Sequence, residues 1–257
     1  MVEDEPIIRF CSVKKAFGDN EVLSGVDLDI PRGKTTVILG PSGTGKSVLI
    51  KLLVGLIEPD GGAIFIDGVD ITAAGVHELF AFRKRIGMLF QDGALFDSMT
   101  VAENIGFPLR RHSDLSEEKI AAAVSMRLEQ VGLPGTENLL PSALSGGMRK
   151  RVSLARAIIL EPEILLFDEP NSGLDPITSD EIDALIARMK AELGITFIVI
   201  SHDIVGAFAI ADKIAMLYKG QLVAEGSPDE LLASRTPIVR QFLSRNFDLP
   251  EIEGNEP

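Results

Sequence analysis

A glycine-rich run around residue 40 has the residue types of a phosphate-binding loop. It matches the pattern G-x-x-x-x-G-K-[ST] at every fixed position, and we call its eight residues the phosphate loop: Gly40, Pro41, Ser42, Gly43, Thr44, Gly45, Lys46 and Ser47. Glycines allow successive backbone N–H groups to converge on an anion, and Lys46 adds a point charge for the outer phosphates of a nucleotide. The hydroxyl of Ser47 is an oxygen ligand of the kind that Mg²⁺ prefers. The phosphate loop therefore predicts binding of a nucleoside triphosphate and magnesium.

Two apolar segments flank the phosphate loop and predict the elements that must position it. A buried strand is predicted over residues 35–39 and an apolar helix over residues 48–54. The helix would bring its positive N-terminal end to the bound phosphates. A glycine-rich turn that matches the pattern by chance needs neither element, so the flanking segments favour a functional loop.

A pair of adjacent carboxylates follows a second apolar segment. Residues 164–168 are predicted to form a buried strand that ends at Asp168, and Glu169 comes next. Ligands of open parallel sheets bind beyond the carboxyl ends of the strands, and there Asp168 would hold magnesium directly or through water. Glu169 would orient and polarise an attacking water as a general base. The alternative is that both carboxylates merely cap the strand.

Apolar strands that alternate with helices predict an α/β fold built on a largely parallel sheet. We predict strands between residues 7 and about 40, the clearest at residues 22–30, where Val26, Leu28 and Ile30 alternate with polar residues. Further strands are predicted at residues 63–68, 86–90, 164–168, 195–200 and 214–218, and helices at residues 101–109, 116–131, 146–159, 178–193, 228–233 and 236–245. The uninterrupted helical pattern between residues 91 and 160 indicates an inserted subdomain. The predicted domains are a nucleotide-binding α/β core (1–90 and 161–222), a helical subdomain (91–160), and C-terminal helices followed by an acidic tail that we expect to be disordered (223–257).

The composition restricts the classes of protein to consider. A chain of 257 residues can bury a core without cross-links, and its single cysteine, Cys11, cannot form an internal disulfide. The longest apolar runs have the length of strands, well short of the roughly twenty residues that a membrane-spanning helix needs. A net charge of −13 disfavours sequence-independent binding to DNA or RNA. We therefore expect a cytoplasmic protein that does not cross a membrane by itself and binds no nucleic acid.

A third motif, Leu144-Ser145-Gly146-Gly147-Met148, completes a resemblance to the ATP-binding-cassette (ABC) ATPases over residues 7–245. This resemblance implies an ATP-hydrolysing P-loop NTPase core of the RecA-like type, with an antiparallel β subdomain and an inserted α-helical subdomain. We call residues 144–148 the signature loop. By resemblance, Ser145, Gly146 and Gly147 contact the γ-phosphate of an ATP molecule held by the opposite subunit, which implies a homodimer that closes around two ATP molecules. A helix that begins at this loop would direct N–H groups and a positive dipole at the anion.

The resemblance assigns roles to further residues by their position. Phe17 matches the aromatic residue that stacks on adenine, and Gln91 matches the glutamine that touches magnesium and links the site to the helical subdomain. Asp175 ends the run Ser172-Gly173-Leu174-Asp175, which matches the loop through which two subunits contact each other's sites. His202 matches the histidine that hydrogen-bonds the γ-phosphate. The predicted catalytic residues are thus Glu169, His202 and Gln91, and the predicted magnesium ligands are Ser47, Gln91 and Asp168.

Two segments indicate a subgroup of the ABC ATPases. Residues 90–110 and the run Asp175-Pro176-Ile177-Thr178-Ser179, together with Met148, resemble the ATPases of the Mla-type phospholipid transporters. This resemblance implies a separate integral membrane permease, an MCE-domain lipid-binding protein and a small regulatory protein as partners. It also implies a peripheral position on the cytoplasmic face of the bacterial inner membrane. Leu95, Phe96 and Phe107 would line a groove for the permease, although each also suits the core of the helical subdomain.

Two other functions remain open from the sequence. One is an ABC importer ATPase for a polar solute such as an amino acid. The other is a soluble ABC ATPase that acts as a nucleotide-gated scaffold on nucleic acid or ribosomes, which the acidic balance and the single cassette disfavour. No substrate pocket is expected in the ATPase itself, so its residues identify neither the cargo nor the direction of transport.

Overall fold

The computed structural model describes residues 5–247 and 249, and most of the predicted acidic tail lies outside the described residues. The described part of the chain divides into two compact units, one formed by residues 5–75 with residues 198–247 and 249 and the other by Val76–Phe197. The elements in chain order are β1 (Ile8–Phe17), β2 (Asn20–Ile30), β3 (Thr35–Leu39), α1 (Lys46–Leu53), β4 (Gly61–Ile66), β5 (Val69–Asp70), α2 (Val76–Lys84), β6 (Ile86–Leu89), α3 (Val101–His112), α4 (Glu117–Gln130), a short 3-10 helix (Pro141–Ala143), α5 (Gly146–Ala157), β7 (Ile164–Asp168), α6 (Pro176–Leu193), β8 (Thr196–Ser201), α7 (Ile204–Ile210), β9 (Lys213–Tyr218), β10 (Gln221–Gly226), α8 (Pro228–Leu232) and α9 (Pro237–Leu243).

The first unit contains an antiparallel sheet with the strand order β2-β1-β4-β5. Phe10 of β1 lies opposite Leu28 of β2 and Ile64 of β4, and all three side chains are buried. Val26 and Ile30 are buried as well, which confirms the predicted alternation along β2. One face of this sheet therefore packs against the core, and this fixes the register of its strands.

A second group of strands in the first unit, in the order β10-β9-β3-β8, carries the phosphate loop. β3 is buried along its whole length and runs parallel to β9, with Leu39 opposite Met216. β10 pairs with β9 in the antiparallel direction, and α7 packs on β3. Because β3 ends at Leu39 and α1 begins at Lys46, the strand–loop–helix context predicted for the phosphate loop is confirmed.

The second unit combines two parallel strands with the predicted helices. β6 pairs with β7, with Ile86 opposite Ile164 and Leu89 opposite Phe167. α3, α4 and α5 pack on one another, α5 also packs on β6, and α6 packs on α5. Residues 91–160 hold three α-helices and the 3-10 helix, which confirms the helical character predicted for this stretch.

Five elements were not predicted from the sequence: α2, α7, β5, β10 and the 3-10 helix. α2 has no buried residue, although Val76, Leu79 and Phe80 lie at helix spacing. α7 is only 7 residues long, about two turns, and β10 is half-buried along most of its length rather than alternating. The two compact units divide the chain at other points than the predicted core and helical subdomain, whose boundaries stay a prediction. Within the described residues no helix has both the length and the apolar character needed to span a membrane.

Candidate functional site

The phosphate loop has a backbone that only glycine tolerates at its key positions. Gly45 adopts φ of 101°, in the left-handed region that residues with a Cβ rarely enter, and a Cβ there would lie 2.7 Å from Cδ2 of Leu23. A Cβ on Gly40 would collide with the carbonyl oxygen of Leu217 on β9. The loop is therefore tightly packed against the first unit.

Lys46 is buried in the phosphate loop although it carries a charge. Its side chain is among the buried polar groups, at 4% exposure, and its Nζ donates hydrogen bonds to the carbonyl oxygens of Gly40 at 2.7 Å and Pro41 at 3.0 Å. Thr44 also donates to Pro41, at 2.9 Å. The ammonium is thus held against the first two residues of the phosphate loop.

The N-terminus of α1 lies at the same place and has the character of an anion site. Gly45 caps the helix without a side-chain hydrogen bond, and the first turn of α1 contains no acidic residue. The N–H groups of a first helical turn have no partner within the helix, and their dipoles favour negative charge. Lys46, the loop backbone and this helix end together match the chemistry of a bound phosphate.

Two further predicted site residues belong to the first unit. Phe17 is 51% exposed, and the ammonium of Lys15 lies 5.5 Å from its ring centroid. Lys15 is in turn bonded to Asp60 at 2.8 Å, and this bond holds the pKa of Asp60 below its ordinary value. His202 is exposed and follows β8, the strand next to β3. An exposed ring at Phe17 and an exposed imidazole at His202 suit contact with a ligand.

The carboxylates of Asp168 and Glu169 lie at the end of β7 in the second unit. β7 is buried up to Phe167, and both acidic residues are half-buried. Glu169 adopts φ of 50°, the left-handed region that is unusual for a residue other than glycine. A strained backbone of this kind persists only where its surroundings hold it, and it occurs often at functional sites.

Gln91 is connected to this pair through a buried lysine that the sequence motifs do not include. Its amide Nε2 donates to Oγ of Ser172 at 3.0 Å, a bond that does not involve the amide oxygen, the atom able to bind a hard cation. Lys150 of α5 donates to the backbone carbonyl of Gln91 and, at 3.4 Å, to that of Glu169. Burial lowers the pKa of Lys150, while the charges of Asp92, Asp168 and Glu169 act in the opposite direction.

Lys150 was not predicted as a site residue because nothing local marks it. A lysine in a helix is ordinarily solvated, and Lys150 is 59 positions from Gln91 in the sequence. The available signal is helix spacing, because Lys150 lies three residues from Gly147 and three from Ser153, which are both buried in α5.

The signature loop forms the start of α5, as predicted. Ser145 caps the helix by accepting a hydrogen bond from the N–H of Met148 at 3.2 Å. A Cβ on Gly147 would lie 2.7 Å from Cγ2 of Thr178, and one on Gly146 would lie 3.1 Å from Cδ2 of Leu174. The two glycines therefore allow α5 to approach the segment that begins α6.

Asp175 caps α6 within that neighbouring segment. Its carboxylate accepts bonds from the N–H of Thr178 at 3.1 Å and from the hydroxyl of Thr178 at 2.6 Å, and these bonds lower the pKa of Asp175. The second unit thus holds the signature glycines, Asp175, Gln91 and the two carboxylates together with their supports. The first unit holds the phosphate loop, Phe17 and His202, and the assignment of all these residues to one reaction stays a prediction.

An apolar groove of about 360 Å³ lies elsewhere on the second unit. We call it the phenylalanine groove, because Phe90, Phe96 and Phe107 line it and are 38%, 44% and 38% exposed. Leu95, which was predicted to line the groove with Phe96 and Phe107, is not among its lining residues, and Phe90 was not predicted. The rings of Phe96 and Phe107 are 5.1 Å apart. Buried Asn104 fixes the loop that carries Phe96, because its amide accepts from the N–H of Phe96 at 2.8 Å and donates to the carbonyls of Phe96, Met99 and Thr100.

Comparisons with known proteins identify the family of the chain. The family model described as ABC transporter matches residues 23–172. The chain is 46% identical to the probable ribonucleotide transport ATP-binding protein mkl of Mycobacterium leprae, over 92% of this chain and 68% of that protein. It is also 46% identical to the intermembrane phospholipid transport system ATP-binding protein MlaF of Escherichia coli K12, over 91% of this chain and 87% of that protein.

A solved structure gives the same result for the fold. The dimeric structure of a post-hydrolysis state of an ATP-binding cassette, bound to ADP and Pi, matches 86% of this chain and 98% of its own, with a TM-score of 0.78 and 31% sequence identity. These similarities confirm the predicted cassette fold and the predicted ABC-type ATPase, and they support the predicted pairing of two copies. Sequence and structure together show that the chain belongs to the ABC transporter family.

Proposed function

We propose that this chain is the ATP-hydrolysing subunit of an ABC transporter that moves phospholipid between bacterial membranes. The observation that carries this proposal is the 46% identity to the intermembrane phospholipid transport ATP-binding protein MlaF over 91% of this chain. The local geometry of the phosphate loop, the Asp168–Glu169 pair and the signature loop supports the ATPase part of the proposal.

ATP would be bound through its phosphates by the phosphate loop. Lys46 is held in the loop by two carbonyl acceptors. Its ammonium would therefore need to move little to bind a phosphate. Phe17 would stack on adenine with its exposed ring. These residues bind and orient the substrate.

Magnesium fits the donors that the chain offers. Ser47, Gln91 and Asp168 would hold it, and all three supply hard oxygen atoms. Bound Mg²⁺ would neutralise charge that develops on the transferred phosphoryl group. Glu169 would accept a proton from the attacking water, and His202 would donate a hydrogen bond to the γ-phosphate.

The signature loop would complete the site of a second copy. Ser145, Gly146 and Gly147 begin α5, where free N–H groups and the helix dipole suit a phosphate. Asp175 lies beside them in the same unit. ATP would therefore hold two copies together, and loss of the γ-phosphate contacts after hydrolysis would release them.

The phenylalanine groove would receive an apolar helix of a separate permease. Its three exposed phenylalanines form the kind of apolar concave surface that binds an amphipathic helix. The same assembly would include an MCE-domain protein and a small regulatory protein, and it would place the chain on the cytoplasmic face of the inner membrane.

Purification and reconstitution test the proposal. A tagged chain, extracted in mild detergent, should co-purify with a membrane permease, and the complex in vesicles should transfer labelled phospholipid to acceptor membranes only with ATP. The mkl relative, named for ribonucleotide transport, supplies the second candidate cargo. The lipid proposal fails if a ribonucleotide or an amino acid stimulates turnover and phospholipid does not, and the transport proposal fails if no membrane protein co-purifies.

A further inference from the structure

One face of α5 donates hydrogen bonds to the backbone of residues 91–94, which we call the Gln91 segment. The donors are Lys150, Ser153 and Arg156, spaced three residues apart, which places them along one side of the helix. Ser153 donates to the carbonyl of Gly93 at 2.7 Å, and Arg156 donates to the carbonyls of Gly93 and Ala94 at 2.9 and 2.8 Å. The Gln91 segment is therefore attached to α5 by its main chain.

Lys150 differs from the other two donors because it contacts two segments of the site. It donates to the carbonyl of Gln91 and to the carbonyl of Glu169, and its side chain is only 5% exposed. These two residues lie in separate loops, after β6 and after β7. One buried ammonium therefore contacts both segments, with the longer of the two distances, 3.4 Å, at Glu169.

Glu169 has particular need of such support. Its φ of 50° lies in a region that costs free energy for a residue with a Cβ. A hydrogen bond from Lys150 to its carbonyl stabilises the peptide that sets the direction of the carboxylate. A carboxylate that must align a water within a few tenths of an ångström depends on such supporting contacts.

α5 begins at the signature loop, and the same helix carries Lys150 farther along. Lys150 lies five residues after Ser145, a rise of ~7.5 Å along one helix.

On the basis of the proposed function, we propose that Lys150 is a positioning residue for ATP hydrolysis: its ammonium holds the backbones of Gln91 and Glu169 in place. Its effect is on the rate of hydrolysis rather than on the binding of ATP.

Steady-state kinetics of the full chain test this proposal. Lys150→Met keeps the length of the side chain and removes the donor, and it should lower kcat by ~10–100-fold while KM for ATP changes less than about twofold. Lys150→Arg restores a cationic donor and should recover most of the lost kcat. Arg127→Met is the matched control, because Arg127 is equally buried at 5% but bonds Gln130 and Glu161.

Three results would overturn the proposal. These are an unchanged kcat for Lys150→Met, an equal fall in the Arg127→Met control, or a loss that Lys150→Arg does not reduce. Thermal unfolding followed by circular dichroism checks that each variant is folded, and kcat is expressed per folded chain. Glu169→Gln in the same series separates the two proposals: if it keeps wild-type turnover, the proposed role of Glu169 fails, whereas the role of Lys150 is decided by its own variants.

Discussion

Lys46 is the single residue on which nucleotide binding should depend most. Its ammonium lies buried over the phosphate loop and is held by the carbonyls of Gly40 and Pro41. Charge-assisted hydrogen bonds to phosphate are stronger than neutral ones, and they are stronger still in a site with little water. The affinity for ATP should therefore respond to this residue more than to its neighbours.

We predict that Lys46→Met lowers the affinity for ATP by ~10–100-fold, because a hydrogen bond from a charged group contributes about 1.5–3 kcal/mol. Isothermal titration calorimetry measures the affinity directly. Lys51→Met is the control, since Lys51 is exposed in the last turn of α1. An equal loss of affinity in both variants would contradict the assignment.

At the residue scale, the sequence predicts those site residues that belong to a short contiguous motif. The phosphate loop and the signature loop are such motifs, and the structure places them at the helix starts expected for them. The support from Lys150 is not local, because it arises only when α5 packs on β6 and covers the Gln91 segment. Helix spacing places Lys150 on the buried face of α5, but it does not show which backbone groups the ammonium contacts.

The sequence predicts a helix or strand where the periodic pattern of apolar residues is strong. β3 and β7 were predictable because they are almost entirely buried and therefore apolar throughout. α2 was missed although Val76, Leu79 and Phe80 lie at helix spacing, because the pattern spans only 9 residues. The bends of the loops after β6 and β7, including the left-handed conformations of Ala94 and Glu169, depend on tertiary hydrogen bonds. The local sequence does not specify them.

The loop before α3 should depend on Asn104. Its amide makes four hydrogen bonds to the loop backbone and is fully buried. We predict that Asn104→Ala lowers the free energy of unfolding by ~3 kcal/mol, because it leaves buried backbone groups without partners. It should also weaken permease binding, because the loop carries Phe96.

Urea denaturation and co-purification measure these two effects of Asn104→Ala. Val124→Ala in α4 is a control that removes buried apolar volume away from the loop. It should lower stability and retain the permease. The role given to Asn104 is contradicted if the permease binds the Asn104→Ala variant and the control equally well.

Removal of the buried hydroxyl of Thr36 in β3 should raise stability, unlike the Asn104→Ala change. Among the described residues, Oγ1 of Thr36 finds no hydrogen-bond partner although the side chain is fully buried. Thr36→Val has nearly the same shape and removes this unpaired group, so the free energy of unfolding should rise by ~1 kcal/mol. Thr44→Val, which breaks the bond to Pro41, should lower it. A loss of stability in both variants would contradict this prediction.

At the scale of the whole molecule, each copy carries both a phosphate loop and a signature loop. In the proposed dimer, these two loops of one copy act on different nucleotides. The similarity to a dimeric cassette supports this arrangement. The phenylalanine groove would then connect the ATP-driven dimer to a separate permease. Pairing of the copies is therefore the central claim.

Size-exclusion chromatography of Glu169→Gln with saturating ATP tests that claim most directly. Turnover in this variant should fall at least ~100-fold, since a general base contributes about that factor or more, while ATP stays bound. The variant should elute as a dimer with ATP and as a monomer without it, and adding Ser145→Arg should abolish the dimer. A Glu169→Gln protein that remains monomeric with ATP, or that hydrolyses ATP at the wild-type rate, would contradict the account.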